Sequence, residues 1–213
     1  MIYDADIAKQ LAKSLLQINA IILQPNNPFN WASGWKSPIY CDNRKILSYP
    51  EIRTYVRQSL SSVIQNHYKG ANIIAGVATA GIPHAALVAE ELGLPFIYVR
   101  SKEKNHGREN KIEGHVEEGQ TVILIEDLIS SGKSSIDALT ALREIGVNVK
   151  GVISIFNYGF DAAIKNFHNV KCEFISLCDY KNMLLEALES NYITKKELKT
   201  LKEWRRNPAI WQK

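Results

Sequence analysis

Residues 122–134 read VILIEDLISSGKS, and this stretch constrains the fold more than any other. Four consecutive aliphatic residues, Val122, Ile123, Leu124 and Ile125, predict a buried strand bounded by turn residues. Two acids, Glu126 and Asp127, come next, and the spacing predicts that the strand covers 121–126. The small-residue loop Ser130-Ser131-Gly132 then opens a helical pattern near Ser134. A strand that runs through paired carboxylates into a polar loop at a helix start can hold a sugar phosphate. The loop amides and helix N-terminus face the phosphate, and the carboxylates bind ribose hydroxyls or a hard cation such as Mg²⁺. Adjacent residues of a strand point to opposite faces, so only one of the two acids need meet a ligand while the strand persists.

Gly132-Lys133-Ser134 also imitates the end of a Walker A loop. That loop needs a glycine five positions before the second one, and position 127 is Asp. A nucleoside triphosphatase reading therefore fails on geometry.

The rest of the chain supplies the frame. Apolar residues recur at helical spacing through Ile7, Leu11, Leu15, Ile18 and Ile22, predicting a helix over 4–23. Residues 24–48 lack helical period and are rich in Pro, Asn, Ser and Gly, which suggests short strands or a structured hood. Pro50 suits a first helical position, with the helix ending before Gly70. Strand-like and helix-like segments then alternate: strands over 73–78, 96–99, 121–126, 149–156 and 172–177, and helices over 82–92, 134–145 and 161–167. Helices over 180–190 and 194–206 close the chain. This alternation predicts an α/β domain around a mainly parallel central sheet flanked by helices, whose ligands sit beyond the carboxyl ends of the strands. A single domain spanning 1–213 is expected, with the hood at 24–48, the core at 50–190 and a C-terminal helix at 194–206.

Three other segments carry chemistry. Gly76-Val77-Ala78-Thr79-Ala80-Gly81 ends a strand in small residues and enters a helix, so an anion can approach its backbone; a plain strand-to-helix turn has the same pattern. The stretch 101–119 is polar and reads as a loop of about eighteen residues, a length that is usually functional or disordered. Arg100, Lys102, Lys104, Arg108 and Lys111 against Glu103 and Glu109 give its neighbourhood a charge of +3, and His106 lies among them. The segment 31–44, with Trp31, Trp35, Tyr40, Lys36 and Arg44, can cover a flat anionic heterocycle, or it can be a hairpin with Arg44 in an ion pair.

Composition excludes several classes. Hydrophobic residues make up 46% of the chain, too many for disorder. No apolar run approaches the ~18 residues of a membrane span, and the acidic and basic N-terminus is not a signal peptide. Cys41, Cys172 and Cys178 lack zinc spacing and read as thiols of a reducing cytoplasm. The formal charge is +4, and residues 195–213 alone contribute +5 from seven Lys/Arg and two Glu. Leu198, Leu201 and Trp204 form an apolar stripe along that tail, so it is expected to dock on the body rather than to bind nucleic acid.

Together these segments resemble the type I phosphoribosyltransferases, which use phosphoribosyl diphosphate (PRPP). Within them they resemble the orotate phosphoribosyltransferases, through Ser33-Gly34-x-Lys36-Ser37-Pro38-Ile39-Tyr40-x-Asp42-x-Arg44 and Arg100-x-x-x-Lys104-x-His106-Gly107. The resemblance implies a type I phosphoribosyltransferase fold and transfer of ribose 5-phosphate from PRPP to orotate. The products are orotidine 5′-phosphate and pyrophosphate, in de novo pyrimidine synthesis. It implies Mg²⁺ bound through PRPP near Glu126 and Asp127, and a cytoplasmic homodimer whose mobile loop reaches the partner's site. It assigns Arg100, Lys104 and His106 to the pyrophosphate as catalytic residues. It assigns Glu126, Asp127, Leu128, Ile129, Ser130, Ser131, Gly132, Lys133 and Ser134, with Thr79, Ala80 and Gly81, to PRPP. Ser33, Gly34, Lys36, Ser37 and Ser130 are implied at the base. The chain departs from some members at Ala32, Ala80 and Ser101, where those carry Lys. It departs again at Phe156-Asn157-Tyr158, where an orotate-facing Arg occurs. The carboxylate of the base then falls to other groups, such as backbone amides near residues 33–36. A purine or uracil transferase, and a PRPP-sensing regulator that binds nucleic acid, are the rival readings; the hood string argues against the first and the lack of a DNA-reading helix pair against the second.

Overall fold

The computed structural model describes residues 1–31, 34–101 and 111–211. Helix α1 (Ala5–Gln17) starts at Asp4, whose side chain accepts from the Ile7 amide, and buries Leu11, Ala12 and Leu15. It is shorter than its apolar spacing predicts. Asn19 takes a φ of 53°, a conformation that Asn tolerates better than most residues. The chain then turns into strand β1 (Ile21–Leu23). Strands β2 (Phe29–Asn30), β3 (Lys36–Ser37) and β4 (Ile39–Cys41) follow. They make two small antiparallel ribbons, β1 with β4 and β2 with β3. A 3₁₀ turn over Asn43–Ser48 leads to helix α2 (Pro50–His67), with Pro50 at its first turn.

The core unit follows: β5 (Ile73–Val77), α3 (Gly81–Leu92), β6 (Phe96–Val99), β7 (Ile112–Glu113), β8 (Thr121–Ile129), α4 (Lys133–Glu144), β9 (Asn148–Asn157), α5 (Asp161–Asn169) and β10 (Phe174–Asp179). Helices α6 (Tyr180–Glu189) and α7 (Lys195–Arg206) complete the chain. The sheet order is β10-β9-β8-β5-β6-β7. The β10–β9, β9–β8, β8–β5 and β5–β6 pairs are parallel, and β7 alone runs antiparallel, against β6. The strand β7 lies inside the polar stretch expected to be one long loop. Ile112 and Glu113 pair with Val99 and Tyr98, because edge pairing satisfies their backbone groups.

Both faces of the sheet are covered, and β8 shows how. Ile123 and Ile125 join a core with Leu11, Leu60 and Ile155, while Val122 and Leu124 join a second core with Leu139, Leu142 and Val152. All five residues of β5 are buried, as expected for a parallel strand covered on both sides. From β5 the chain moves outward to β6 and then reverses, building β8, β9 and β10 on the other side. The reversal falls between β5 and β8, the switch point beyond whose strand ends a ligand crevice is expected in such sheets.

The C-terminal helix docks as its stripe predicts. Leu201 and Trp204 are fully buried, and Leu198 packs at the margin of the same core. Thr194 and Glu197 form a capping box at its start. No helix among the described residues is long and apolar enough to cross a membrane.

Candidate active site

Strand β8 continues through both acids to Ile129, further than the expected end at residue 126. Pairing of Leu128 and Ile129 with Phe156 and Asn157 of β9 extends it. The acids therefore part. Glu126 is 4% exposed and turns to α4, where its Oε2 accepts from Ser134 Oγ at 3.0 Å and Ser135 Oγ at 3.1 Å. Its Oε1 accepts from the Asp127 amide at 3.2 Å. Burial, then the neighbouring Asp127 charge, pushes the Glu126 carboxyl up. Asp127 is half-buried on the hood side, and burial raises it too, although Arg44 works in the other direction.

The hood clasps this strand. Asn43 is fully buried, and its Nδ2 donates to the Asp127 carbonyl at 2.7 Å, while its Oδ1 accepts from Cys41 Sγ at 3.5 Å. On either side of Asn43, Asp42 and Arg44 pair through two bonds, Nε to Oδ1 at 2.6 Å and Nη2 to Oδ2 at 3.0 Å. Arg44 thus has the ion pair expected of a hairpin, and its charge also reaches Asp127.

Two helix starts converge on the crevice without side-chain caps. Helix α4 begins after Gly132, which has a φ of 79°, and α3 begins after Ala80. The first amides of α4 are left for an anion, whereas at α3 the Ile82 amide donates to the Thr79 carbonyl at 3.3 Å and Pro83 has no N–H, which leaves the Gly81 amide. Gly132 is doubly required, since a Cβ there would lie 2.7 Å from Phe167 Cε2 as well as in the left-handed region. At Gly81 a Cβ would lie 2.5 Å from the Ile125 carbonyl oxygen. Glycine lets α3 begin directly against β8, one residue before the acids. The Ala78–Thr79 peptide between β5 and α3 is cis. Asn166 Nδ2 holds the Ser131 carbonyl at 3.0 Å and so fixes the loop before α4. Leu128 packs on the core and Ile129 is buried, so their backbones, not their side chains, border the loop. Ser130 is half-buried and Lys133 exposed beside it.

Further out, the Arg100 amide donates to the Lys111 carbonyl at 2.7 Å, and Arg100 Nη1 lies 3.5 Å from Glu113 Oε1. Lys104 and His106, like Ala32 and Ser33, lie outside the described residues. In the hood, Gly34 has a φ of 81° and its amide donates to Trp31 O at 2.8 Å. Lys36 is exposed, whereas Ser37 is buried with its hydroxyl donating to Ile39 O at 2.8 Å. Trp31 packs against Tyr158, centroids 5.3 Å apart. The Phe156 and Tyr158 side chains are buried. The three cysteines are free, and burial pushes each thiol up, which removes a thiolate nucleophile at neutral pH.

No group of three or more His, Cys, Asp or Glu among the described residues could hold a metal ion. Asp127 offers oxygen donors to a hard cation that brings most of its own ligands, as Mg²⁺ does on a diphosphate, whereas the oxygens of Glu126 are engaged by Ser134, Ser135 and the Asp127 amide. Sequence reasoning missed Ser135, Asn43 as the tie to Asp127, and Trp204 as a hood contact. Ser135 sits one position past the motif, within reach of a helical reading; the other two depend on contacts between distant segments.

Comparison with known proteins matches this geometry. Residues 43–179 fit the phosphoribosyl transferase domain family, the class that the sheet order and the crevice define. The chain is 50% identical to the orotate phosphoribosyltransferase of Cytophaga hutchinsonii over 205 residues, 96% of this chain and 98% of that one. It is 48% identical to that of Listeria innocua over 207 residues, 97% and 99% of the two chains. Among solved structures, the orotate phosphoribosyltransferase of Aeropyrum pernix superposes with a TM-score of 0.75 at 26% identity, covering 86% of this chain and 99% of that one. Leishmania donovani UMP synthase superposes with a TM-score of 0.79 at 28% identity over 93% of this chain, which spans only 42% of that larger protein. The chain belongs to the orotate phosphoribosyltransferases.

Proposed function

We propose that the chain transfers ribose 5-phosphate from PRPP to orotate at the crevice between β5 and β8, with its two sides divided between sugar phosphate and base. The observation that carries this reading is the meeting of the acid-bearing end of β8 with two helix starts that have no side-chain caps, α4 through Ser134 and Ser135 on Glu126 and α3 through Gly81 against Ile125. The α4 amides, that of Ser134 among them, and the hydroxyls of Ser130 and Ser131 take the 5-phosphate. The Thr79-Ala80-Gly81 turn, at the start of α3, takes the diphosphate. Asp127 meets the ribose hydroxyls, and Glu126, tied to Ser134 and Ser135, holds α4 against the strand. A PRPP-bound Mg²⁺ beside these carboxylates would offset diphosphate charge.

The bond between the anomeric carbon and the diphosphate breaks with its electron pair leaving on oxygen, and the ribose gains oxocarbenium character. A ring nitrogen of orotate, as its anion, supplies the new bond from the opposite face. The protein's work is positioning and stabilising charge on the leaving group. Arg100, Lys104 and His106 are assigned to the departing pyrophosphate, the last two on their sequence motif alone. Gly34 and Lys36 border the base. A homodimer is part of the proposal: Ile82, Pro83, Ala86 and Leu87 on the outer side of α3 are half-buried, beside the site that a partner's loop would complete. The three free thiols agree with a reducing cytoplasm.

The test is orotate consumption, followed in the ultraviolet, with PRPP and Mg²⁺. The expected outcome is loss of orotate that stops on adding a chelator. Orotate left unchanged by folded protein would overturn the proposal.

A further inference from the structure

The C-terminal helix touches the base side of the site, although it lies outside the matched domain. That domain covers residues 43–179, so β2, β3 and α7 all fall beyond it. They meet each other. Trp204 of α7 is fully buried, and its indole Nε1 donates to the Lys36 carbonyl at 3.2 Å, across 168 residues of sequence. The same ring stands edge-on to Trp31 of the hood, centroids 5.6 Å apart. It also packs against Tyr158 at 6.0 Å, Phe160 at 5.6 Å and Tyr180 at 5.5 Å. Arg205 donates to the Gly159 carbonyl, and Asn26 bonds Glu197 at 3.0 Å. One indole thus joins the hood strand carrying Lys36 to the segment after β9, where an orotate-facing Arg is absent.

We propose that Trp204 is a positioning residue for base recognition: through the Lys36 carbonyl and the Trp31 ring, it sets the hood against the pyrimidine. The inference rests on the orotate reading above. Capping explains how α7 itself is built, and the stripe explains why it docks. Neither accounts for an indole N–H directed to the backbone of a candidate base-binding residue. A buried indole N–H needs an acceptor, and here that acceptor lies in the hood.

The experiment compares wild type, Trp204→Phe and Thr194→Ala. Wild-type turnover of orotate is measured first; its failure would sink the functional reading and this inference with it. Given turnover, Trp204→Phe keeps a ring but loses the donor. It is expected to raise the KM for orotate by about 3- to 10-fold, the value of one hydrogen bond, with the KM for PRPP held within about twofold. Thr194→Ala weakens the capping box of α7 and leaves Trp204 in place, so it is expected to lower thermal stability with both KM values unchanged. Equal change in the two KM values, an unchanged orotate KM in Trp204→Phe, or the same orotate defect in Thr194→Ala would each overturn the inference. Fluorotryptophan-labelled wild type reads the claim without a substitution there. Its Trp204 resonance is expected to shift on orotidine 5′-phosphate and not on inorganic phosphate, and a Trp204 signal indifferent to the nucleotide would count against it.

Discussion

The two sides of the crevice are built in different ways. The side proposed for the sugar phosphate is local and made largely of backbone: β8, the loop 130–132 and the start of α4 follow one another in the chain. The side proposed for the base is assembled from β2–β3, the residues after β9 and α7, joined by aromatic rings. Their helix starts show the contrast. Helix α7 has both halves of a capping box, while α4 begins at a left-handed glycine with no side-chain cap. The α7 start satisfies its amides with its own side chains, whereas the amides at the α4 start stay open to an anion. Phosphate recognition is common to every base a transferase could couple, so it can live in a short motif. Base recognition has to be added by segments outside that motif.

Substitutions should separate the two sides, and the largest effect belongs to the leaving group. Lys104→Ala is expected to slow the chemical step by about 10²–10³-fold, in the range of lost charge stabilisation, as read by single-turnover kinetics. An unchanged rate would remove Lys104 from the mechanism. Asn43→Ala breaks the tie between hood and acid strand and leaves a buried Asp127 carbonyl without its Asn43 donor. It should cost about 1–3 kcal/mol of stability and weaken PRPP and orotidine 5′-phosphate alike, since both present ribose hydroxyls to Asp127. Denaturant melts and calorimetric titration check this, and unchanged affinity for both ligands would place Asn43 in the fold alone.

Glu126→Gln sharpens the phosphate side through pH. The folded carboxyl is raised from the ordinary 4.5 to about 8, chiefly by burial. A carboxyl raised on folding favours the folded state while protonated, and that contribution is lost as pH climbs from the unfolded value through the folded one. The ligand-free variant should therefore match wild type near pH 4 and exceed it by roughly 1–3 kcal/mol at pH 8. Melting curves across that range decide it; a gap that narrows with rising pH would show the opposite sign. The smallest effect belongs to Thr194→Ala, about 1 kcal/mol from the lost cap.

What can be read from the chain follows the same division. The strand, both acids, the glycine loop and the α4 start are legible because their contacts are short-range and periodic. Docking of α7 is legible from Leu198, Leu201 and Trp204 at helical spacing. The parting of Glu126 and Asp127 follows from strand alternation once the strand is seen to persist. The end of α1 escapes the pattern because Ile18 and Ile22 keep helical spacing while Asn19 adopts a positive φ and β1 pairs with β4. Strand β7 is hidden among charges, since two residues carry no period. Asn43 meeting Asp127 and Trp204 meeting Lys36 depend on the tertiary path of the chain, and no local pattern encodes a contact across such distances.

The central claim is spatial: sugar phosphate at the α4 amides, pyrimidine against the hood. A crystal structure with orotidine 5′-phosphate tests it most directly. The account predicts the phosphate on the amides after Gly132, the ribose hydroxyls at Asp127, and the ring beside Gly34 and Lys36. A nucleotide bound with its phosphate away from α4, or with its ring turned from the hood, would contradict it.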